Sequence, residues 1–305
     1  MYSCYFYLVI CFWCASFFHQ QQQQVLGVDL PPDNSKFASI FGDHKKRHAH
    51  RRNAPRNIYI DLGTNNGASI DSFLPTGESK KKQKDATDGA YSTNSKYFSH
   101  KDYAANIALK KTFDIYALEA NPRHTPTLRD QMNRYIQNNI SNSYHLFSET
   151  GISTKDGTVS LIFDCDASRP DCLGAEGSSL NKDSLSLGQK SVTIASLDIL
   201  TLFRGLHIKE TDLVLLKMDI EGSEFDIVRR LLVSGVLYSL IDVIMVEWHH
   251  NAAFVFGHPK HFFNTTDPRY NERLRIHEKY LKQYDALMWM AEDAGLQDKF
   301  LVWSR

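Results

Sequence analysis

The chain contains 305 residues, of which 42% are hydrophobic, and its 35 Lys plus Arg residues balance 35 Asp plus Glu residues to a formal net charge of zero. That length is enough for one large α/β domain with a well-buried core. A chain of balanced charge lacks the broad basic surface that nucleic-acid binding usually needs, so we expect no nucleic-acid partner.

The N-terminal region predicts entry into the secretory pathway. Residues 4–18 form an apolar run without charge, and a run of glutamines follows at 20–24. A membrane-spanning helix needs roughly twenty apolar residues, so this shorter run favours a cleaved signal peptide at 1–24 over a short signal anchor. Either alternative leads to a secreted protein or to one in the ER or Golgi lumen, and we expect membrane contact only through such an anchor.

Residues 25–56 are predicted to form a flexible basic stem, because they are polar, lack apolar periodicity and end in a cluster of Lys, Arg and His. The cluster is open to three interpretations: a solvated linker, a proprotein cleavage site or a contact with an anionic surface. Glycosylation sequons at Asn139 and Asn264 agree with a lumenal location. In that oxidising compartment we expect Cys165 and Cys172 to form a disulfide.

The remaining residues, 57–305, are predicted to form one domain in which strands and helices alternate. In chain order the elements are a strand at 57–60, a helix near 72–74, a strand at 113–118, a helix from 121, strands at 144–147, 158–163 and 192–194, a helix at 197–203, a strand at 212–218, a helix through 225–232, a strand at 241–246, a helix at 271–294 and a strand at 300–303. A lysine-rich stretch at about 75–100 predicts an exposed insertion. Asp156-Gly157 predicts a hairpin turn.

The nearly continuous apolar run at 212–218 is typical of a parallel strand that is covered on both faces. Together with the repeated strand-helix units, it predicts an α/β fold with a doubly wound, mostly parallel sheet and helices on both faces.

In such a sheet, ligands bind outside the carboxyl ends of the strands. The first strand is followed by Asp61, Gly63, Asn65 and Gly67, and the second by Glu119, whose carboxylate is placed to accept both hydroxyls of a ribose. The order of these residues differs from the G-x-G-x-x-G of dinucleotide-binding proteins. A carboxylate at that turn repels a pyrophosphate and suits an ammonium group.

Structural roles for these residues remain open beside the functional ones. The glycine block can be a turn without a ligand, Glu119 can cap the following helix, and carboxylates in the first turn of a helix are favoured by its dipole. A histidine such as His249 is often an ordinary packing or surface residue. Lys217 can likewise be the partner of a neighbouring carboxylate. The other residues in the second half of the chain for which a structural role remains open are Glu221, Glu224, His249 and His250.

Five ordered sequence blocks stand out along the chain. They are D-L-G-T-N-N-G at 61–67, E-A-N-P at 119–122, G-S-S-L at 177–180, L-K-M-D-I-E-G-S-E at 216–224 and V-E-W-H at 246–249. Together they resemble the FkbM methyltransferase family, over residues 57–303. The resemblance implies a class I, Rossmann-like methyltransferase with S-adenosyl-L-methionine as methyl donor. It also implies O-methylation of a hydroxyl on a glycan or small molecule.

Carried over by position, the resemblance implies a donor side and a transfer site. Asp61, Gly63, Asn65 and Gly67 would line the methionine part of the donor, and Glu119 would hold its ribose. Asp219, Glu221 and Glu224 would border the transfer site, and we count Glu221 among the donor-binding residues.

The catalytic group is predicted from the positions of Asp219, Glu247 and His249. Asp219 ends the central strand, the other two follow its presumed neighbour, and adjacent strands are about 4.8 Å apart. We expect Asp219, assisted by Glu247 or His249, to deprotonate the acceptor. Clustered carboxylates can also hold a divalent cation. We favour the metal-free version, because no histidine pair of a recognised metal motif accompanies these residues.

Two functions of other classes compete with methyl transfer. One is a noncatalytic lumenal binding protein that keeps the fold without turnover. The other is a nicotinamide-dependent sugar enzyme, which the absence of G-x-G-x-x-G from the sequence disfavours.

Overall fold

The computed structural model describes residues 54–73, 112–163, 178–180, 190–249, 266 and 270–302. Several sequence predictions concern residues outside these ranges. They are the leader at 1–24, the stem up to residue 53, the insertion at about 75–100, the disulfide between Cys165 and Cys172, the sequon residue Asn264, and His250.

Strands and helices alternate along the described chain. The strands are β1 (Asn57–Leu62), β2 (Asp114–Glu119), β3 (Ser143–Ser148), β4 (Thr150–Ser153), β5 (Gly157–Phe163), β6 (Ser178–Ser179), β7 (Lys190–Asp198), β8 (Leu213–Met218), β9 (Val243–Val246) and β10 (Phe300–Val302). The helices are α1 (Ala68–Phe73), α2 (Thr125–Gln137), α3 (Ile199–Gly205), α4 (Glu224–Val233), α5 (Val236–Ser239) and α6 (Tyr270–Asp293).

Six parallel strands form the larger sheet, in the order β10-β9-β8-β1-β2-β3. From β1 the chain moves to one side through β2 and β3, and later to the other side through β8, β9 and β10. The strand order therefore reverses between β1 and β8. At such a switch point the connections leave in opposite directions, and a crevice opens at the carboxyl ends of the two strands.

Alternate residues of the sheet contribute to two separate cores. On one face Ile60 belongs to a cluster with Phe225 of α4 and Tyr280 of α6. On the other face Tyr59 stacks on Phe73 of α1, with ring centroids 4.2 Å apart. Because successive side chains of a strand point to opposite faces, this division shows helices on both sides of the sheet. The predicted doubly wound α/β fold is confirmed.

The predicted hairpin at Asp156-Gly157 is wrong, because the strands on either side of this turn belong to a second, smaller sheet in which they do not pair with each other. Its strand order is β4-β7-β5-β6, so β4 and β5 lie on either side of β7 and do not pair with each other. β7 is the reason, because it extends over Lys190–Asp198 and not only over the predicted 192–194. A strand of that length offers both of its edges, and tertiary pairing with it overrides the local turn signal.

A partly buried ion pair joins β1 and β8 at their amino ends, away from the crevice. Nη2 of Arg56 lies 2.6 Å from Oδ2 of Asp212, and the two side chains are 13% and 1% exposed. Nε of Arg56 donates to the same oxygen, and the Arg56 backbone N–H donates to Oδ1. The charges of this pair therefore hold the start of the two central strands together.

The described residues bear on the first glycosylation sequon and on membrane-spanning helices. Asn139 of the first sequon is exposed in the turn that follows α2. Among the described residues, no helix combines the length and the apolar character needed to cross a bilayer.

Candidate functional site

A cleft opens at the carboxyl ends of β1, β2 and β8, where the strand order reverses. This is the place at which open α/β sheets bind their ligands. Its lining contains five of the nine predicted site residues, namely Gly63, Asn65, Glu119, Asp219 and Glu221. The other four, Asp61, Gly67, Glu247 and His249, lie outside the lining.

Gly63 forms the floor of the cleft, where the end of β1 approaches the end of β8. Its φ is +75°, and a Cβ atom built on it would lie 1.8 Å from the carbonyl oxygen of Asp219. The Gly63 N–H donates to the carbonyl of Leu118, and the Asp219 N–H donates to that of Leu62. Only glycine combines this left-handed conformation with so close an approach of two backbones.

Glu119 is fixed at the end of β2 by the loop that follows β1. Its Oε2 accepts the backbone N–H of Asn65 at 2.7 Å, and its Oε1 accepts that of Asn121 at 2.7 Å. Burial raises the pKa of Glu119 to about 7, although the two N–H donors and Lys217 favour the charged form. The open question of helix capping is answered by Asn121, whose side chain accepts from the Arg123 N–H and caps the turn that opens α2.

Asp61 occupies a different position from the predicted one, since its side chain is 0% exposed and lies beneath the cleft. Ser69 Oγ donates to its Oδ2 at 2.5 Å, and Nζ of Lys217 lies 3.2 Å from its Oδ1. The physical reason is that a buried carboxylate must be paired. Asp61 is therefore linked to the cleft residue Asp219 through Lys217, which contacts both carboxylates. Pairing with a neighbouring carboxylate is the structural role that the sequence left open for Lys217.

Gly67 also lies away from the cleft, against α2. Gln131 Nε2 donates to the Gly67 carbonyl at 2.7 Å, and Tyr144 donates its hydroxyl hydrogen to Oε1 of Gln131 at 2.8 Å. A Cβ atom on Gly67, whose φ is +87°, would meet Gln131 at 2.4 Å. Gly67 thus fixes the start of α1 and lies outside the lining of the cleft.

The turn after β8 is stabilised by Glu224, which is fully buried at the start of α4. Its Oε1 accepts the N–H of Ile220 and its Oε2 accepts that of Gly222. Both N–H groups precede the helix, which begins at Glu224, so Glu224 holds the turn and does not cap the helix. The same turn places Glu221, with a φ of +53°, in the lining of the cleft.

His249 lies among three carboxylates. Its Nδ1 is 2.7 Å from Oε1 of Glu224, and its Nε2 is 3.3 Å from Oε2 of Glu221 and 3.7 Å from Oδ1 of Asp219. Burial lowers the pKa of His249, but the three carboxylates outweigh that effect and raise it to about 10. At neutral pH the ring is therefore an imidazolium that donates hydrogen bonds, and it does not accept a proton.

The structure brings together the three residues predicted to be catalytic. Asp219, Glu247 and His249 each offer one ligand atom, and these atoms all lie within 4.8 Å of one another. A group of this kind is close enough to hold a metal ion, as the sequence alternative required. Metal-free chemistry stays our prediction, because no recognised metal motif accompanies these residues in the sequence.

The apolar wall of the cleft was missed in the sequence. The smaller sheet supplies Thr150, Gly151, Ile152 and Leu161, and Leu180 directly follows β6. Leu180 ends the G-S-S-L block, to which the sequence assigned no place in the site. The other four residues reach β2 only through tertiary packing, so no local pattern signals them. His124 also lines the cleft, and its place shortly after β2 was a usable signal, since ligands bind at strand ends.

The comparisons with known proteins agree with this geometry. The family model described as Methyltransferase FkbM domain matches residues 89–285, which is more than half of the chain. The match contains Glu119 and the groups around β8 and β9, whereas β1 and its glycine turn precede it. No curated protein and no solved structure matches the chain. The sheet order, the cleft at its switch point and the family match together establish that the chain belongs to the FkbM methyltransferase family.

Proposed function

We propose that the protein is an S-adenosyl-L-methionine-dependent methyltransferase that methylates a hydroxyl of a glycan or small molecule. One observation carries the proposal: Glu119 and Asp219 face the same cleft from either side of Gly63, at the switch point of the sheet. One carboxylate is thereby available to the donor and the other to an acceptor. S-adenosyl-L-methionine would supply a methyl group already activated by its sulfonium.

On the donor side, Glu119 accepts the ribose hydroxyls. Each of its oxygens already accepts one backbone N–H, and a carboxylate has about four lone-pair sites, so acceptor capacity remains. The apolar wall of Ile152, Leu161 and Leu180 suits the flat adenine ring. Carboxylates around the cleft also attract a ligand that carries a sulfonium and an ammonium.

On the acceptor side, Asp219 takes the proton of the hydroxyl as the new C–O bond forms and the C–S bond breaks, with the bonding pair passing to sulfur. Proximity and alignment provide most of the rate enhancement, because the donor is already activated. His249 contributes as a cation: it holds Asp219 and Glu221 in place and balances their charge. Glu247, the third member of the group, is close enough to relay or share the proton.

The direct test is calorimetric titration with S-adenosyl-L-methionine and, separately, with NAD. The strand order resembles that of dinucleotide-binding folds, which makes NAD the appropriate competitor. We expect binding of the methionine derivative and no heat from NAD. Transfer of a labelled methyl group to neutral glycans and small hydroxylated molecules then identifies the acceptor. Binding of NAD alone would contradict the proposal, and donor binding without transfer to any acceptor would favour the noncatalytic alternative.

Glu119 makes donor binding depend on pH. The charged form accepts two hydroxyl donors, whereas the protonated form loses acceptor capacity. With a pKa of about 7, Glu119 is mostly protonated at pH 6 and mostly ionised at pH 8. A ligand that binds only the charged form should therefore bind about tenfold more tightly at pH 8 than at pH 6. Adenosine is the probe, because it keeps the ribose and lacks the titrating amino group of the donor.

The control for this measurement is Glu119→Gln, which keeps the shape of the side chain and cannot ionise. Its affinity for adenosine should be the same at both pH values and lower than that of the wild type at pH 8, by about 1.5 to 3 kcal/mol for a lost charge-assisted contact. A pH dependence that persists in Glu119→Gln would assign it to another group.

A further inference from the structure

Lys217 lies beneath the cleft, between its donor and acceptor sides. It is the next-to-last residue of β8, its side chain is 2% exposed, and it does not line the cleft. Its ammonium donates to the carbonyl oxygen of Gly63 at 2.7 Å. It also lies 3.2 Å from Oδ1 of Asp61 and 3.6 Å from Oδ2 of Asp219.

We propose that Lys217 is a positioning residue that holds the donor loop and Asp219 in one arrangement. Gly63 and Asp219 both line the cleft, and Lys217 contacts both from below. One buried ammonium thereby ties the turn after β1 to the carboxylate after β8. The inference rests on the proposed function, and it adds a residue that acts on donor binding without touching the donor.

The chemistry of lysine fits this position. An ammonium group has three donor hydrogens and no acceptor, so it can serve a carbonyl and two carboxylates at once. A buried cation must be paired to be tolerated, and Asp61 supplies the counter-charge. Ser69 in turn donates to Asp61, so the chain of contacts from α1 to Asp219 is continuous. Asp61 is buried and does not line the cleft, but it acts on the site by holding Lys217 in place.

The alternative to a positioning role is that Lys217 only joins β1 to β8 and thereby stabilises the fold. The two strands are already paired along their whole length, from Asn57 opposite Leu213 to Leu62 opposite Met218. The ion pair of Arg56 and Asp212 joins the same two strands at their amino ends. The two ion pairs are therefore comparable: each has a buried carboxylate and each links β1 to β8, but only that of Lys217 adjoins the cleft.

The experiment compares Lys217→Met with Arg56→Met, using S-adenosyl-L-methionine as the probe in calorimetry and thermal unfolding as the measure of stability. Each variant leaves a buried carboxylate without its cation, so both should have a lower Tm than the wild type. Lys217→Met should also weaken donor binding at least about tenfold, the scale of losing an outer contact that orients a binding group. Arg56→Met should bind the donor as the wild type does.

The double variant Asp61→Asn/Lys217→Met covers the case in which Lys217→Met fails to fold. It removes both charges and leaves no orphan at Asp61, so its Tm should exceed that of Lys217→Met, while donor binding stays at least about tenfold weaker than in the wild type. Donor affinity equal to that of the wild type in either Lys217 variant, or an equal loss in Arg56→Met, would overturn the inference. A wild-type protein that binds no donor would instead refute the proposed function.

Discussion

Replacing Asp219 by Asn should lower the turnover number at least roughly a hundredfold, the scale of lost acid-base catalysis, while the affinity for S-adenosyl-L-methionine changes little. The amide keeps the size of the side chain and cannot take the proton of a hydroxyl. Donor contacts such as those of Glu119 lie on the other side of Gly63 and should persist. The measurement is methyl transfer at saturating donor, with calorimetry for the donor affinity.

The matched control is Asp242→Asn, just before β9. Oδ2 of Asp242 accepts the N–H of Val214 at the amino end of the sheet, so this change tests the same chemical substitution away from the cleft. It should leave turnover unchanged. Normal turnover in Asp219→Asn would remove that residue from the mechanism. Activity that a chelator abolishes and magnesium restores would show that Asp219, Glu247 and His249 act through a metal ion.

Gly63→Ala should be the most damaging single substitution at the cleft for stability. Its Cβ atom would have to lie 1.8 Å from the Asp219 carbonyl oxygen, in a conformation with φ of +75°. Left-handed strain costs about 1 to 2 kcal/mol, and forcing extra volume between packed groups costs about 1 to 3 kcal/mol more. We expect a loss of about 2 to 5 kcal/mol in the free energy of unfolding by denaturant titration, together with loss of donor binding.

Gly295→Ala separates the strain from the clash. Gly295 has a φ of +67°, close to that of Gly63, and nothing lies within 4 Å of a Cβ atom built there. It should therefore cost only the conformational strain, about 1 to 2 kcal/mol, and leave donor binding intact. Equal losses in the two variants would mean that the close approach of Gly63 to Asp219 does not constrain the cleft.

The central strands could be predicted because each is a short run of mostly apolar residues, as a buried strand requires. The apolar run of β8 is continuous, as a strand covered on both faces requires, and the turn residues after β1 and β2 mark where those strands end. Strand-end carboxylates such as Glu119 and Asp219 could be assigned to the cleft for the same reason. The parallel sheet itself brings such residues together.

The rest depended on contacts between distant parts of the chain. β4 is four residues long, and its pairing with β7 gives it a place that its own sequence does not signal. The sequence position of Asp61 is typical of a carboxylate that binds a ligand, but in the structure Asp61 pairs with Lys217 of the neighbouring strand. Likewise, the position of His249 is typical of a general base, but the carboxylates of the turn after β8 raise its pKa and make it a cation.

The central position of β1 has a consequence for biosynthesis. The contact of Lys217 with Gly63 spans 154 residues of sequence, and β8 is the strand that covers one edge of β1. At a synthesis rate of 5 to 20 residues per second, β1 waits about 8 to 30 s between its own translation and that of its partner. During that interval an apolar strand presents an unpaired edge, which is a site for aggregation. Efficient production of this enzyme should therefore depend on chaperones that bind the nascent chain before β8 emerges.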